Sequence, residues 1–212
     1  MFGVIAVGLV VVVVAFLTKS SKVELAGKRG VDPGTLPGIQ QTDQTKWTNG
    51  VDDTLKQRLS AIGLPALPEE AGRLHSDQQL YVYVHGEQVQ VPAGIGIGSQ
   101  FDNAAGSAGP QDFISILHTH DTTGLLHQEA PDQRGYTLGQ FFDVWGVYFT
   151  RTCLGNLCND GQNIVRVYSN GQLQDDPRNL VISQTLKSQA ITVTYGTEAE
   201  LPDPIPDSFP GT

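Results

Sequence analysis

Three of the five histidines in this 212-residue chain fall within ten positions of one another. They stand in the run Leu117-His118-Thr119-His120-Asp121-Thr122-Thr123-Gly124-Leu125-Leu126-His127-Gln128-Glu129. Asp121–Gly124 has the composition of a turn. Pairing Asp121 with Gly124 across it fixes the register of the flanking strands: His118 falls opposite His127, and His120 opposite Leu125. Side chains two apart on a strand share a face, and directly opposed Cβ atoms lie about 5 Å apart. His118, His120 and His127 therefore converge on one face of a predicted hairpin, Ile114–Glu129, with Glu129 one step further along. Three imidazoles and a carboxylate so placed suit one divalent transition ion of the copper or zinc class. Metal–nitrogen bonds of about 2.1 Å are within reach of all three rings. His75, just ahead of a predicted strand, is a further candidate ligand. His85 stands in a turn and is expected to be solvated. The same spacing also fits a buried polar cluster in which the rings bond Asp121, Thr119 and backbone, or catalysis without a metal.

Other chemistries find little in the sequence. There is no G-x-S-x-G elbow and no P-loop, and Gly94-Ile95-Gly96-Ile97-Gly98 lacks the following helix that a nucleotide site needs. Those glycines are expected to let the backbone twist or turn. No catalytic or organic-cofactor residues are assigned. Cys153 and Cys158 are the only cysteines; a small disulfide closing a polar loop is the expectation, because the spacing is not C-x-x-C and no second pair completes a zinc site. A disulfide would place the domain outside the cytoplasm. The net charge is −9, and with a local +3 over residues 1–29 the remainder carries −12. Such a surface repels phosphate backbones, which argues against a nucleic-acid partner.

The elements that must position these residues are mostly short strands. Charged residues make up only 17% of the chain, while Gly, Pro and runs of Val, Thr, Tyr and Ile are frequent. Phe2–Leu17 is an uninterrupted apolar run that, with its neighbours, just reaches the length of a spanning helix. It lacks the basic start and small-residue cleavage site of a signal peptide. Residues 1–18 are thus expected to be a single-pass anchor in membrane lipid, and 19–50 a flexible linker. A β-rich domain over 51–197 follows, then a Pro-rich acidic tail over 198–212. Lys19, Lys22, Lys28 and Arg29 after the span favour a cytoplasmic domain by the positive-inside rule, against the disulfide. The outer side is the expectation adopted. Within the domain, helices are predicted at Asp52–Ile62 and Thr137–Val147, the second opened by a Thr137/Gln140 capping box. Its stripe of Leu138, Phe141, Phe142 and Trp145 is expected in the core. Strands are predicted at Leu80–Val84, Val89–Val91, Ile164–Tyr168, Leu180–Ile182 and Ile191–Tyr195, with a turn at Asn170-Gly171. The expected fold is mainly β, a sandwich or barrel-like domain with two short helices, plus the N-terminal transmembrane helix.

VPAGIGI (91–97), LHTHDTTGLLHQEAP (117–131) and YTLGQFFDVWG (136–146) together resemble an uncharacterised family of secreted or membrane-anchored proteins of bacteria and archaea. Its members carry a "VPAxIGI … HTHDxxGxxHxE … FTLGxFFxxWG" series. VYSNGQLQDDPRNLVI (167–182) and ITVTYG (191–196) are similar to its closing segment, so the resemblance covers most of residues 70–196. It implies an extracytoplasmic domain, and its motif maps onto His118, His120, Asp121, Gly124, His127 and Glu129. Asp77 and Gln79 stand where further histidines of the family are expected. The family supplies location and motif rather than an activity. Three functions follow as expectations: a surface metal-binding module, a metal-dependent enzyme, or a structural accessory of a membrane protein complex.

Overall fold

The computed structural model describes residues 23–38, 41, 46–98, 101–102, 107–108 and 112–210. The apolar run Phe2–Leu17 lies outside the described residues. Among those described, no helix is long and apolar enough to cross a membrane. The strands in chain order are β1 (Ala66–Leu67), β2 (Leu74–Val84), β3 (Glu87–Val89), β4 (Phe101–Asp102), β5 (Ser107–Ala108), β6 (Ile114–Ser115) and β7 (Leu117–His118). They continue with β8 (Leu125–Ala130), β9 (Cys153–Leu154), β10 (Leu157–Cys158), β11 (Ile164–Ser169), β12 (Gln172–Leu173) and β13 (Ala190–Gly196). Two α-helices accompany them, α1 (Leu55–Ala61) and α2 (Leu138–Trp145). The domain is mainly β with two short helices, as expected.

One seven-stranded sheet dominates, ordered β12-β11-β13-β2-β8-β7, with β3 also pairing β2. Its path ends at β12 and β7, so among the described residues it is one open mixed sheet; the other ladders are two-stranded. This differs from the expected sandwich or barrel. The centre is β2, eleven residues long and six longer at its start than its apolar signal LYVYV predicts. Its first half pairs antiparallel with β8, and its second half pairs parallel with β13. Leu74, Leu80, Val82 and Val84 alternate onto the core face with Leu126 and Ala130 of β8 and Ile191 and Val193 of β13.

Polar Ser76 and Gln78 interrupt that core face, which hid the start of the strand from the hydrophobic pattern. Both are fully buried and bonded. Ser76 Oγ and Gln78 Nε2 donate to the Ser183 carbonyl at 2.8 and 3.0 Å, and Gln128 Nε2 donates to Ser76 Oγ at 2.9 Å. The Gln189 amide donates to Gln78 Oε1 at 2.7 Å. Buried polar groups that find partners add specificity to a strand pairing instead of destabilising it.

Helix α2 opens on the predicted capping box: Thr137 N–H donates to Gln140 Oε1 at 2.9 Å, and Gln140 N–H to Thr137 Oγ1 at 3.4 Å. It closes on Gly146, left-handed at φ 76°. Leu138, Phe141, Phe142 and Trp145 are buried in the common core. Three further segments depart from expectation. In its described residues, the segment 19–50 is built into the domain rather than forming a tether. Gln140 Nε2 donates to the Ala26 carbonyl at 2.9 Å, and buried Trp47 meets Trp145 edge-to-face at 5.6 Å. Leu180–Ile182 contributes only an isolated bridge, Val181 to Thr137, rather than a strand. The segment expected as a loose tail lies across the sheet: Thr192 Oγ1 donates to the Pro206 carbonyl at 2.8 Å and Tyr81 Oη to the Ser208 carbonyl at 2.9 Å. Its carbonyls thereby find donors on the face of β13 and β2 opposite the core.

Candidate metal centre

That outer face, away from the core, also carries the histidines. The β7–β8 ladder places His118 directly opposite His127, the register anticipated from the turn. On its other edge β8 pairs with β2, which sets Asp77 opposite His127 and His75 opposite Glu129. Because side chains alternate, His75, Asp77, His127 and Glu129 all emerge on one side of two adjacent strands. His120 is not in a ladder: β7 ends at His118, and His120 stands in the bend beyond it. Its expected partner Leu125 pairs instead with Gln79 of β2. The His120 ring nevertheless meets both others, at centroid separations of 4.7 Å from His118 and 4.8 Å from His127.

A clamp behind β7 fixes this short strand. Gly94 N–H donates to the Thr119 carbonyl at 2.8 Å, Thr119 N–H to the Ile95 carbonyl at 3.2 Å, and Ser115 N–H to the Gly96 carbonyl at 2.8 Å. Thr119 Oγ1 adds a bond to the Pro92 carbonyl at 2.7 Å. Gly96 has φ 75°, and a Cβ there would stand 2.5 Å from the Leu117 carbonyl oxygen. The alternating glycines thus allow the backbone approach that holds His118 in place. On the other side of the cluster, Asp121 accepts from Thr123 N–H at 2.9 Å and Thr123 Oγ1 at 2.5 Å, shaping the turn. Burial opposes it, but these bonds hold the Asp121 carboxyl below its usual range.

His118 is fully buried, and its Nδ1–H donates to the Ser115 carbonyl at 2.9 Å. A carbonyl only accepts, so the proton sits on Nδ1 and Nε2 carries the lone pair, as in metal-binding histidines oriented by a backbone oxygen. His118 Nε2 lies 3.1 Å from His120 Nε2, which in turn lies 3.0 Å from Glu70 Oε1. Two nitrogens on one tetrahedral ion at about 2.1 Å stand about 3.4 Å apart, close to what is found. The potential ligand atoms of His118, His120 and His127 all lie within 4.8 Å of one another. So do those of His75, His127 and Glu129, and those of Glu70, His118 and Glu129. These His and Glu groups, of which His118 and Glu129 are buried, could hold a metal ion.

Electrostatics points the same way. Burial, reinforced by the neighbouring His120 and His127 rings, lowers the pKa of His118 to about 3. Burial also lowers His127, although the Asp77 charge works against the shift. Burial and the nearby Glu70 raise the Glu129 carboxyl. Neutral imidazoles beside a carboxylate whose charge is disfavoured by burial suit a divalent ion.

Asp77 and Glu70 went unrecognised in the sequence as members of the cluster. Asp77 is two residues after His75, a same-face signal visible only once β2 is known to begin at Leu74. Glu70 is brought in by a loop and had no such signal. His85 lies elsewhere, at φ 49° in the β2–β3 turn, with its Nδ1 3.3 Å from Glu200 Oε2. Cys153 and Cys158 form the expected disulfide, directly opposed across the β9–β10 hairpin. No family model, curated protein or solved structure matches the chain.

Proposed function

We propose that this chain is a membrane-anchored, extracytoplasmic metal-binding module. It holds a divalent transition ion, copper or zinc, on His118, His120 and His127, with Glu129 and His75 as further ligands. The observation that carries the reading is the convergence of three imidazoles from β7, the following bend and β8 on one small volume. The hydrogen bond from His118 Nδ1 to Ser115 adds the support a ligand needs to keep its ring aimed. The apolar run Phe2–Leu17 supports the anchor, and the disulfide supports the outer side. The family resemblance agrees with that location. Attachment to a membrane would let such a module serve a membrane protein complex, by buffering or handing on the ion.

A second reading, a metal-dependent enzyme, draws on Glu129 alone. A carboxyl with a raised pKa beside a metal is a candidate general base. Elemental analysis of the purified full chain, with and without His118→Ala, tests the metal claim common to both. Retention in membranes through an alkaline wash tests the anchor.

A further inference from the structure

Beyond the His118–His120 pair, the same face holds a second convergence of ligand atoms, centred on Asp77. His75 Nε2 lies 3.4 Å from both Asp77 Oδ1 and Glu129 Oε1. His127 Nδ1 lies 2.9 Å from Asp77 Oδ1 and 3.9 Å from Glu129 Oε1. These four separations bracket the roughly 3.4 Å expected between ligands of one tetrahedral ion. They come from two strands paired in register, β2 and β8, so the arrangement is built by the sheet.

An ordinary hydrogen-bonded cluster does not account for the contact between Asp77 and His127. Both atoms are shielded from solvent, and neither Asp77 Oδ1 nor His127 Nδ1 makes a well-aligned hydrogen bond, although Oδ1 also faces the His75 ring. At 2.9 Å they are near enough to bond, yet they lack the alignment that a bond requires. A buried carboxylate oxygen and a buried imidazole nitrogen that meet without good alignment are incompletely satisfied, at a cost. A cation between the strands, coordinated by both atoms, removes that cost.

We infer that the face takes two divalent ions, one on each side of the His127 ring. This inference rests on the metal-binding reading above. His75 and Glu129, given above as further ligands of a single ion, are assigned instead to the second position with Asp77 and Nδ1 of His127, which leaves Nε2 as that ring's donor toward the ion on His118 and His120. With a metal on each nitrogen, the His127 ring loses its N–H proton to solvent on loading. Glu70, 3.0 Å from His120 Nε2, supplies a carboxylate to the first ion. Each position then has at least one carboxylate to balance its charge.

The full chain, extracted in detergent and stripped with a chelator, should be titrated with Zn²⁺ and the bound metal counted after gel filtration. Two zinc ions per wild-type chain are expected. His75→Ala and Asp77→Asn should each leave one, as should His118→Ala. His75 is more than half exposed at its side chain and Asp77→Asn keeps the shape, so neither variant should disturb folding. One zinc in the wild type that survives both His75→Ala and Asp77→Asn overturns the second position while leaving the first intact. Two zinc ions retained by both variants overturns the ligand assignment. No zinc in the wild type overturns the second position and the metal-binding reading together.

Discussion

His118 faces His127 directly across the β7–β8 ladder, with nearly parallel rings whose centroids are 5.2 Å apart. The two imidazoles are oriented from different sides. His118 is tied through Nδ1 to the Ser115 carbonyl of its own segment, whereas the Nδ1 of His127 faces Asp77 of β2. Strands β7 and β8 bring the two rings together and β2 faces the second of them, so the cluster exists only in the folded domain.

His118 should make the metal-free protein acid-sensitive. Its pKa falls from 6.5 to about 3 on folding, so between those values the unfolded chain binds the extra proton. Stability linked to this group is complete above about pH 6.5 and is lost as pH drops toward 3. Urea unfolding of the stripped protein should show a stability loss of a few kcal/mol between pH 7 and 4. His118→Gln should flatten that slope, and bound zinc should shift the loss to lower pH.

Glu129 should show a conflict between stability and binding. Burial and Glu70 raise its carboxyl, so at neutral pH the folded apoprotein holds a carboxylate whose charge its surroundings disfavour. Glu129→Gln is then expected to stabilise the apoprotein at pH 7 while weakening metal affinity. Paired thermal melts with and without zinc measure both effects. A variant less stable in both states would contradict the expectation.

Gly96→Ala should damage the centre from behind. Its Cβ would approach the Leu117 carbonyl at 2.5 Å, in a left-handed conformation that alanine disfavours. Destabilisation of about 2 kcal/mol or more is expected, with weaker metal binding because His118 follows directly. Gly30→Ala is a useful control. Gly30 shares the positive φ, at 70°, but a Cβ there meets nothing, so it should lose less stability and keep its metal.

Much of this site was legible in the sequence because it depends on local rules. The D-T-T-G turn fixed the pairing of His118 with His127, and period-two alternation placed Glu129 on the same face. The capping box of α2 was equally local. Contacts distant in sequence were harder to anticipate. Ser76 and Gln78 made the first half of β2 look like a loop, because their burial is offset by bonds to Ser183 and Gln189 more than one hundred residues later. Asp77 was hidden with them. The role of Trp47 was concealed by its polar surroundings, since its partner is Trp145 across the core.

The disulfide should be intact in protein exported natively, with Cys153 and Cys158 resisting alkylation until a reductant is added. They are five residues apart at the base of a two-residue turn, so the closed loop is short. Replacing both by serine should cost about 2 kcal/mol, the amount expected for so small a loop. Neither cysteine belongs to the histidine cluster, so metal content should not change. Free thiols in natively exported material would remove the main support for an outer location.

The central claim is that these histidines hold a metal. The decisive measurement is the metal content of the full chain, purified without added metal or chelator, compared with His118→Ala and His85→Ala. At least one equivalent of copper or zinc is expected in the wild type, kept by His85→Ala and lost from the His118 position in His118→Ala. A wild-type protein that is metal-free, and whose melting temperature ignores added Cu²⁺ and Zn²⁺, would contradict the claim and leave the histidines as a polar cluster that orders the hairpin.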